Sequence, residues 1–170
     1  DPEVTSRMIF YFIIVVLVVA DQLSKHFIST WMSISESIPL IEGVFHITYV
    51  QNFGAAFSIL QGKQFFLITV TLIALITINI YLIVKFKENH KILSLALSFI
   101  IGGGYGNLID RIRLGYVVDF LDFRVFPVFN IADICVCTGC GLLILYIFYF
   151  EKRITRGKKS ISNDEDPIEN

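Results

Sequence analysis

Four segments of about 20 residues are almost entirely apolar, and they limit the possible fold more than any other feature. They cover approximately residues 8–27, 64–84, 92–110 and 131–150. An apolar helix of about 20 residues crosses the hydrocarbon core of a bilayer, where only helices and closed barrels satisfy their own backbone polar groups. A chain of 170 residues that is 55% hydrophobic and 17% charged exposes too much apolar surface for a soluble domain. The sequence therefore predicts a membrane all-α core of four transmembrane helices.

The distribution of Lys and Arg predicts the orientation of these helices. Nine basic residues lie before the first span, between the second and third, and after the fourth, whereas five lie on the other side. Cytoplasmic loops carry the excess of basic residues, so both termini are predicted to be cytoplasmic. Residues 1–150 then form one four-span domain with outward connections at about 28–63 and 111–130. Residues 151–170 are interpreted as a polar cytoplasmic tail.

The first span has an alternative interpretation as a cleaved secretory signal peptide. Residues 9–20 are short enough for its apolar region, and Val18-Val19-Ala20 loosely resembles a cleavage site. The segment before them has a single Arg and two acidic residues, which is atypical of a signal peptide's basic start. A retained transmembrane helix is therefore favoured.

The outward connections have the patterns of short strands. Residues 38–51 alternate in polarity around Glu42-Gly43, which indicates a hairpin. Residues 117–129 form another extended, aromatic-rich stretch, broken by Pro127. We expect a small extracytoplasmic β-sheet at the outer ends of the helices, with an interfacial loop or short helix at about 54–60.

Polar side chains are concentrated at one predicted depth. A charged residue at mid-membrane costs about 2.5–3.5 kcal/mol even on the lenient insertion scale, so such residues indicate a functional site. Asp21 and Lys25 are four residues apart and can form a supporting pair on the first helix. Residues of the third and fourth spans and of the outward connections reach the same outer surface: Asn107, Asp110, Arg111, Asp133, Asn52 and Asp119. The four glycines of residues 102–106 are interpreted mainly as helix-packing positions.

Paired carboxylates at this depth suggest acid–base chemistry. Two aspartates in a partly dry pocket tend to share one proton, so one can activate water while the other polarises a carbonyl group. Asp133 follows Asn130, a candidate helix cap. Asp119 and Asp122 point to opposite faces of an extended strand, and periodicity does not choose between them.

Neither a metal nor an organic cofactor is predicted. Cys135, Cys137 and Cys140 diverge on a helix, and the three histidines are scattered along the chain. Nucleic acid is not a predicted partner, because no basic face occurs outside the tail.

Five motifs in this order resemble those of the bacterial lipoprotein signal peptidase (signal peptidase II) family, and the resemblance covers about residues 9–150. They are Asp21-Gln22-x-x-Lys25, Asn52-x-Gly54-Ala55-Ala56-Phe57, Gly103-x-x-Gly106-Asn107-x-x-Asp110-Arg111, Val117-Val118-Asp119-Phe120 and Phe129-Asn130-x-Ala132-Asp133.

The resemblance implies a cofactor-free aspartic endopeptidase in the bacterial inner membrane, with its active site near the extracytoplasmic face. Its substrates would be diacylglyceryl-modified prolipoproteins in membrane lipid, cut just before the lipidated cysteine, and globomycin-type peptides would inhibit it. Asp119 and Asp133 match the catalytic dyad, which leaves Asp122 outside the site. Other matched positions line or support the site: Asn52, Gly54, Asn107, Arg111, Asn130, Asp21, Lys25 and Asp110.

A proton- or cation-coupled transporter is the competing function, since transporters also place carboxylates within membranes. Three features oppose it: the spans are few, no pseudo-repeat relates the two halves of the chain, and the carboxylates lie at one surface instead of the midplane.

Overall fold

The fold is a bundle of four long helices with a three-stranded sheet at one end. The computed structural model describes residues 2–54, 60–87 and 89–151. The four helices are α1 (Pro2–Trp31), α2 (Gln64–Val84), α3 (Lys91–Leu114) and α4 (Ile131–Leu145), and α4 continues as a π-helical turn (Tyr146–Glu151). All four are long and apolar enough to cross a membrane when that turn is counted with α4. The predicted four-helix core is therefore confirmed.

Helix α3 is the centre of the bundle. It contacts each of the other three helices. Of its most apolar stretch, 56% is buried inside the protein, against 17% for each of the others. Because α1, α2 and α4 leave most of their apolar side chains exposed, these three helices form the lipid-facing surface.

Glycines allow the close approach of α3 to its neighbours. A side chain at Gly103 would collide with the backbone of Ala132 at the start of α4, and one at Gly102 would press on Leu17 of α1. Gly139 of α4 lies equally close to Ala96 and Ile100 of α3. In lipid there is no hydrophobic driving force between helices, so close van der Waals packing at small residues stabilises the helix crossings instead. The packing interpretation of the glycine-rich segment agrees with these contacts.

The sheet consists of the predicted hairpin and one more strand. Strands β1 (Ser37–Ile41), β2 (Phe45–Asn52) and β3 (Val117–Asp122) pair antiparallel in the order β1-β2-β3. Gly43, with φ of 71°, lies in the turn between the first two strands. Val50 pairs with Asp119 across β2 and β3. Asn52, the last residue of β2, pairs with Val117, the first residue of β3, so the end of β2 lies beside the start of β3.

A second apolar cluster fixes the sheet to the bundle. Tyr49 of β2 and Val118 and Phe120 of β3 pack with Ile28 and Met32 at the end of α1. Helix α1 continues past the predicted end of its span at residue 27, because its final turns serve as this platform. The predicted interfacial element at 54–60 falls largely on residues 55–59, outside the described residues, as does the predicted tail from residue 152.

Candidate active site

Strand β3 presents Asp119 at the junction between sheet and helices. The residue is 3% exposed. Its Oδ2 accepts a hydrogen bond from Asn52 Nδ2 at 3.0 Å, and its Oδ1 accepts one from Asn130 Nδ2 at 2.6 Å. Both carboxylate oxygens are thus held by amide donors from other elements, β2 and the start of α4. The side chain is fixed in position before any substrate arrives.

Asp133 is positioned by the start of α4. Asn130 caps this helix: its side chain accepts from Asp133 N at 2.9 Å, and its own backbone N–H donates to Asp133 Oδ2 at 3.1 Å. This reciprocal pair is a capping box, in which each side chain satisfies a free backbone donor. A carboxylate in the first turn also interacts favourably with the helix dipole. The sequence order Asn-x-x-Asp thereby fixes the Asp133 carboxylate.

Asn107 of α3 contacts Asp133 directly and is connected to Asp119 through Asn130. Its Nδ2 donates to Asp133 Oδ1 at 2.8 Å. Its Oδ1 accepts from Asn130 Nδ2 at 3.1 Å and from Lys25 Nζ at 2.9 Å. With two donors on its oxygen, the amide has one orientation that satisfies both ends. Asn107 therefore keeps its N–H group directed at Asp133.

Lys25 is the centre of a buried ionic network behind the site. Its ammonium group, on a residue 2% exposed, lies 2.9 Å from Asp21 Oδ2 and 3.1 Å from Asp110 Oδ2. Together with Asn107 Oδ1, these two oxygens give each of its three N–H groups an acceptor. The expected Asp21–Lys25 pair is present, and it includes Asp110 as well.

The two carboxylates of this network also fix the backbone around the site. Asp21 Oδ1 accepts from Ala132 N at 2.9 Å, which ties α1 to the first turn of α4. Asp110 Oδ2 accepts from Val118 N at 3.0 Å, which ties α3 to β3 next to Asp119. Their contribution is therefore positional: they place the two segments that bear Asp119 and Asp133.

Gln22 belongs to the same network, although it was not predicted as a site residue from the sequence. Its Nε2 donates to Asp110 Oδ1 at 2.9 Å and to the Gly106 carbonyl oxygen at 3.1 Å. The available signal was its place in the first motif, next to Asp21. An uncharged amide is a weaker indicator of a functional site than a carboxylate, because placing it near lipid costs less free energy.

Arg111 connects α3 to the loop after β2. Its Nη2 donates to the Gly54 carbonyl oxygen at 3.0 Å, and Gly54 N in turn donates to Asn52 Oδ1 at 2.9 Å. Arg111 Nε is buried without a hydrogen-bond partner among the described residues. The guanidinium group thus carries a positive charge and a spare donor into the site. Ala55, Ala56 and Phe57, the rest of that motif, lie outside the described residues.

The pKa of Asp119 is raised to about 7. Burial is the largest cause, and the charge of Asp133 is the second, while the amides of Asn52 and Asn130 and the charge of Lys25 act in the opposite direction. Near neutral pH one such group can hold a proton while its neighbour is ionised. This is the protonation state in which a carboxyl pair acts on water and a carbonyl group together.

Asp122 lies away from the pair. Its Oδ2 accepts from Thr48 Oγ1 at 2.7 Å and from Arg124 Nη1 at 2.9 Å, and its Oδ1 accepts from Arg124 N at 2.8 Å. Desolvation alone would raise the pKa of Asp122, but these hydrogen bonds and the charge of Arg124 together lower it. The side chain is occupied in shaping the end of β3, as its position three residues after Asp119 on a strand requires.

A cleft of about 890 Å³ opens over Asp119 and Asp133. Its polar end is also lined by Asn52, Asn107 and Arg111, and its other walls are apolar side chains of α2, α3 and α4. Phe126, Pro127 and Val128 line one side, and these residues were not predicted as site residues from the sequence. Their aromatic and proline character was visible, but nothing in the sequence placed that loop over the cleft.

The cysteines and histidines do not converge in the described part of the chain. Cys135 is buried, while Cys137 and Cys140 are exposed on other faces of α4. Within the described ranges, no three His, Cys, Asp or Glu side chains are grouped so as to hold a metal ion. His90 caps the start of α3, far from Asp119.

Comparison with known proteins gives a consistent result. Residues 13–149 match the model of a family described as Signal peptidase (SPase) II. A lipoprotein signal peptidase from Halothermothrix orenii is 48% identical over 143 residues, which are 84% of this chain and 97% of that protein. One from Brevibacillus brevis is 47% identical over 148 residues, 86% of this chain and 99% of its own.

Solved structures agree in fold. A bacterial membrane enzyme determined by the in meso method at 2.3 Å resolution superposes with a TM-score of 0.74 at 34% identity, covering 94% of each chain. A second, at 1.9 Å resolution, has the same TM-score at 36% identity, with 83% of this chain and 93% of that one covered. The bundle and sheet of this chain are thus arranged as in these two solved bacterial membrane enzymes.

Proposed function

The chain belongs to the signal peptidase II family, and on that premise we propose that it is a membrane aspartic endopeptidase acting through Asp119 and Asp133. Its substrates are prolipoproteins whose cysteine carries diacylglycerol, and it cuts the bond just before that cysteine. The observation that carries the proposal is the bridge through Asn130, which hydrogen-bonds both carboxylates at the floor of one cleft.

The two carboxyl groups take different roles in the reaction. Asp133, in the first turn of α4, is the ionised member and removes a proton from the attacking water. Asp119, whose pKa is about 7, is the protonated member and donates to the carbonyl oxygen of the scissile bond. The water oxygen bonds to the carbonyl carbon, and a tetrahedral diol forms.

Collapse of that diol completes the cleavage. The amide nitrogen takes the proton that Asp133 received, the C–N bond breaks, and the second diol proton returns to the carboxyl pair. The products are a signal peptide with a new carboxyl end and a lipoprotein whose modified cysteine has a free amino group. No step requires a group beyond water and the two aspartates.

The shape of the cleft supports a lipidated peptide as the substrate. Its apolar walls include Val70 and Ala74 of α2, a span that faces lipid, and Ile100 of the central helix α3. The hydrophobic signal helix and the diacylglycerol on the cysteine remain in the bilayer. The helix can unwind around the scissile bond only where polar groups of the protein replace water as hydrogen-bond partners of the backbone. Asn52, Arg111 and Gly54 are proposed to hold the unwound backbone. A globomycin-type peptide is proposed to block the same cleft.

The enzyme is proposed to lie in the bacterial inner membrane with both termini in the cytoplasm. Arg7, Lys85, Lys87 and Lys91 lie at the end of the bundle opposite to Asp119. Basic residues favour the cytoplasmic side, so the carboxyl pair and the sheet face outward. Residues 1–150 then constitute one peptidase domain, and residues 151–170 its cytoplasmic tail.

The test is cleavage of a diacylglyceryl-modified prolipoprotein peptide by purified Asp119→Asn, Asp133→Asn and Asp122→Asn variants. The first two remove one member of the pair, and we expect turnover to fall by about 10²–10⁴-fold, because each role in acid–base catalysis contributes about that much. Asp122→Asn is the matched control: it makes the same change on the same strand, but on the opposite face.

Thermal unfolding in detergent separates lost chemistry from lost structure. All three variants are expected to unfold cooperatively. Near-normal turnover in either Asp119→Asn or Asp133→Asn would contradict the assignment of the pair. A transporter would instead give Asp119-dependent ion flux in proteoliposomes without peptide cleavage.

A further inference from the structure

A second cavity lies at the end of the bundle opposite to Asp119. It encloses about 190 Å³ between the start of α1, the loop after α2 and the start of α3. Polar and basic side chains line much of it, among them Ser6, Lys87, Asn89 and Lys91. The proposed peptidase reaction uses none of these residues.

Asn89 supplies a buried donor with nothing to bind. Its backbone N–H is held by the carbonyl oxygen of Lys85 at 3.0 Å, and its Oδ1 accepts from Tyr81 Oη at 3.4 Å. Its Nδ2 is buried and has no hydrogen-bond partner among the described residues. An unpaired buried donor costs free energy, and an acceptor in the cavity would remove that cost.

The surroundings favour a negatively charged acceptor. Lys87 and Lys91 both line the cavity, and Lys91 is the first residue of α3, where the helix dipole is positive. Arg7 lies over the ring of Phe86, another lining residue, at 5.2 Å from its centroid. Among the side chains that the structure describes, which do not include those of Glu3 and Glu88, no carboxylate lines the cavity.

The depth of the cavity identifies the class of ligand. Helix α2 ends at Val84 and α3 begins at Lys91, so the cavity lies where the spans reach the level of the lipid headgroups. Basic pockets between transmembrane helices on the cytoplasmic side bind anionic headgroups. We propose that this cavity binds the phosphodiester group of an anionic membrane lipid such as phosphatidylglycerol. The phosphate oxygens accept from Asn89 Nδ2 and from the ammonium groups of Lys87 and Lys91.

Native mass spectrometry of the purified full chain in neutral detergent tests the proposal. Phosphatidylglycerol and the zwitterionic phosphatidylcholine are titrated separately, at about 0.15 M salt so that diffuse surface attraction is screened. Two variants alter the cavity: Asn89→Asp replaces the buried donor with an acceptor, and Lys87→Gln/Lys91→Gln removes both charges. Lys85→Gln is the matched control, since Lys85 is in the same loop and is not among the lining residues.

We expect phosphatidylglycerol to bind the unaltered chain more tightly than phosphatidylcholine, and both cavity variants to weaken it about tenfold or more. Lys85→Gln should change the affinity less than about twofold. An equal loss of affinity with Lys85→Gln would show diffuse electrostatic attraction and would refute the proposed lipid site. Equal binding of both lipids would also refute it.

A third experiment adds inorganic phosphate at about 10 mM. Displacement of the lipid at that concentration would identify a free-phosphate site instead. Unfolding midpoints in neutral detergent show whether each variant is folded.

Discussion

The hydrogen bond from Asn52 to Asp119 should lower the upper pH limit of activity. Asn52 Nδ2 donates to Asp119 Oδ2 at 3.0 Å, and this contact stabilises the ionised carboxylate. In the proposed mechanism Asp119 works when protonated, and its pKa is about 7. Activity should therefore decline as the pH rises through about 7. Replacing Asn52 by Leu removes the donor and should move that decline to higher pH.

The size of the shift follows from the strength of the contact. A hydrogen bond to a charged group contributes about 1.5–3 kcal/mol, and about 1.36 kcal/mol corresponds to one pKa unit, so the shift is roughly one to two units. The lower end is expected, because Asn52 is only half-buried and the bond from Asn130 at 2.6 Å remains. The alkaline limb should then lie near pH 8.

The assay is kcat/KM for a lipidated prolipoprotein peptide between pH 5 and about 9.5, because this ratio reports the ionisation of the free enzyme. Gln51→Leu is the matched control: it makes a similar amide-to-Leu change at the adjacent position of β2, where Gln51 Nε2 donates to Tyr49 Oη instead. Its pH profile should match that of the unaltered enzyme. If Asn52→Leu and Gln51→Leu gave the same alkaline limb, the proposed control of Asp119 by Asn52 would be refuted. A rate that kept rising above pH 8 in the unaltered enzyme would refute the acid role of Asp119 itself.

Two stability predictions concern the support of the site. Lys25→Met leaves the buried Asp21 and Asp110 without their counter-ion, so the free energy of unfolding should drop by about 3–5 kcal/mol. Denaturant titration in mixed micelles measures this, with the exposed Lys63→Met as control, and a loss below about 1 kcal/mol would contradict the network. Gly106→Ala places a methyl group 2.5 Å from Asp21 Oδ2 and should lower both stability and cleavage. Gly141→Ala on α4, with nothing within 4 Å, should be neutral or slightly stabilising, and equal effects of the two changes would contradict the packing argument.

The helices and the hairpin were predictable because each follows from a local pattern. Apolar length defined the four spans, and alternation around Gly43 defined β1 and β2. The end of α1 was placed too early. The sequence shows where apolar residues become sparse near residue 27, whereas the helix ends only at Trp31, since Ile28 and Met32 pack against the sheet. Tertiary packing decided that boundary.

The candidate site residues predicted from the sequence lie together in the structure, but the hydrogen bonds that connect them could not be predicted. The free-energy cost of a carboxylate near lipid indicated that Asp21, Asp110 and Asp133 belong to a site. Periodicity did not distinguish Asp119 from Asp122, and only the family resemblance favoured Asp119. The structure places Asp122 on Thr48 and Arg124, away from the cleft. The hydrogen bonds that join positions far apart in sequence, such as Asp21 to the backbone of Ala132, depend on helix packing that no local pattern encodes.

The capping box at the start of α4 reverses the usual relation between activity and stability. Residues chosen for chemistry commonly destabilise a protein, and replacing them then stabilises it. The Asp133 side chain instead accepts a hydrogen bond from the Asn130 backbone N–H, and the Asn130 side chain accepts one from the Asp133 backbone N–H. The contacts that start the helix are therefore the same contacts that orient the carboxylate. A substitution that inactivates Asp133 is therefore not expected to stabilise the protein. Selection for a stable fold alone would therefore favour a side chain at position 133 that accepts this hydrogen bond, whether or not the chain cleaves a substrate.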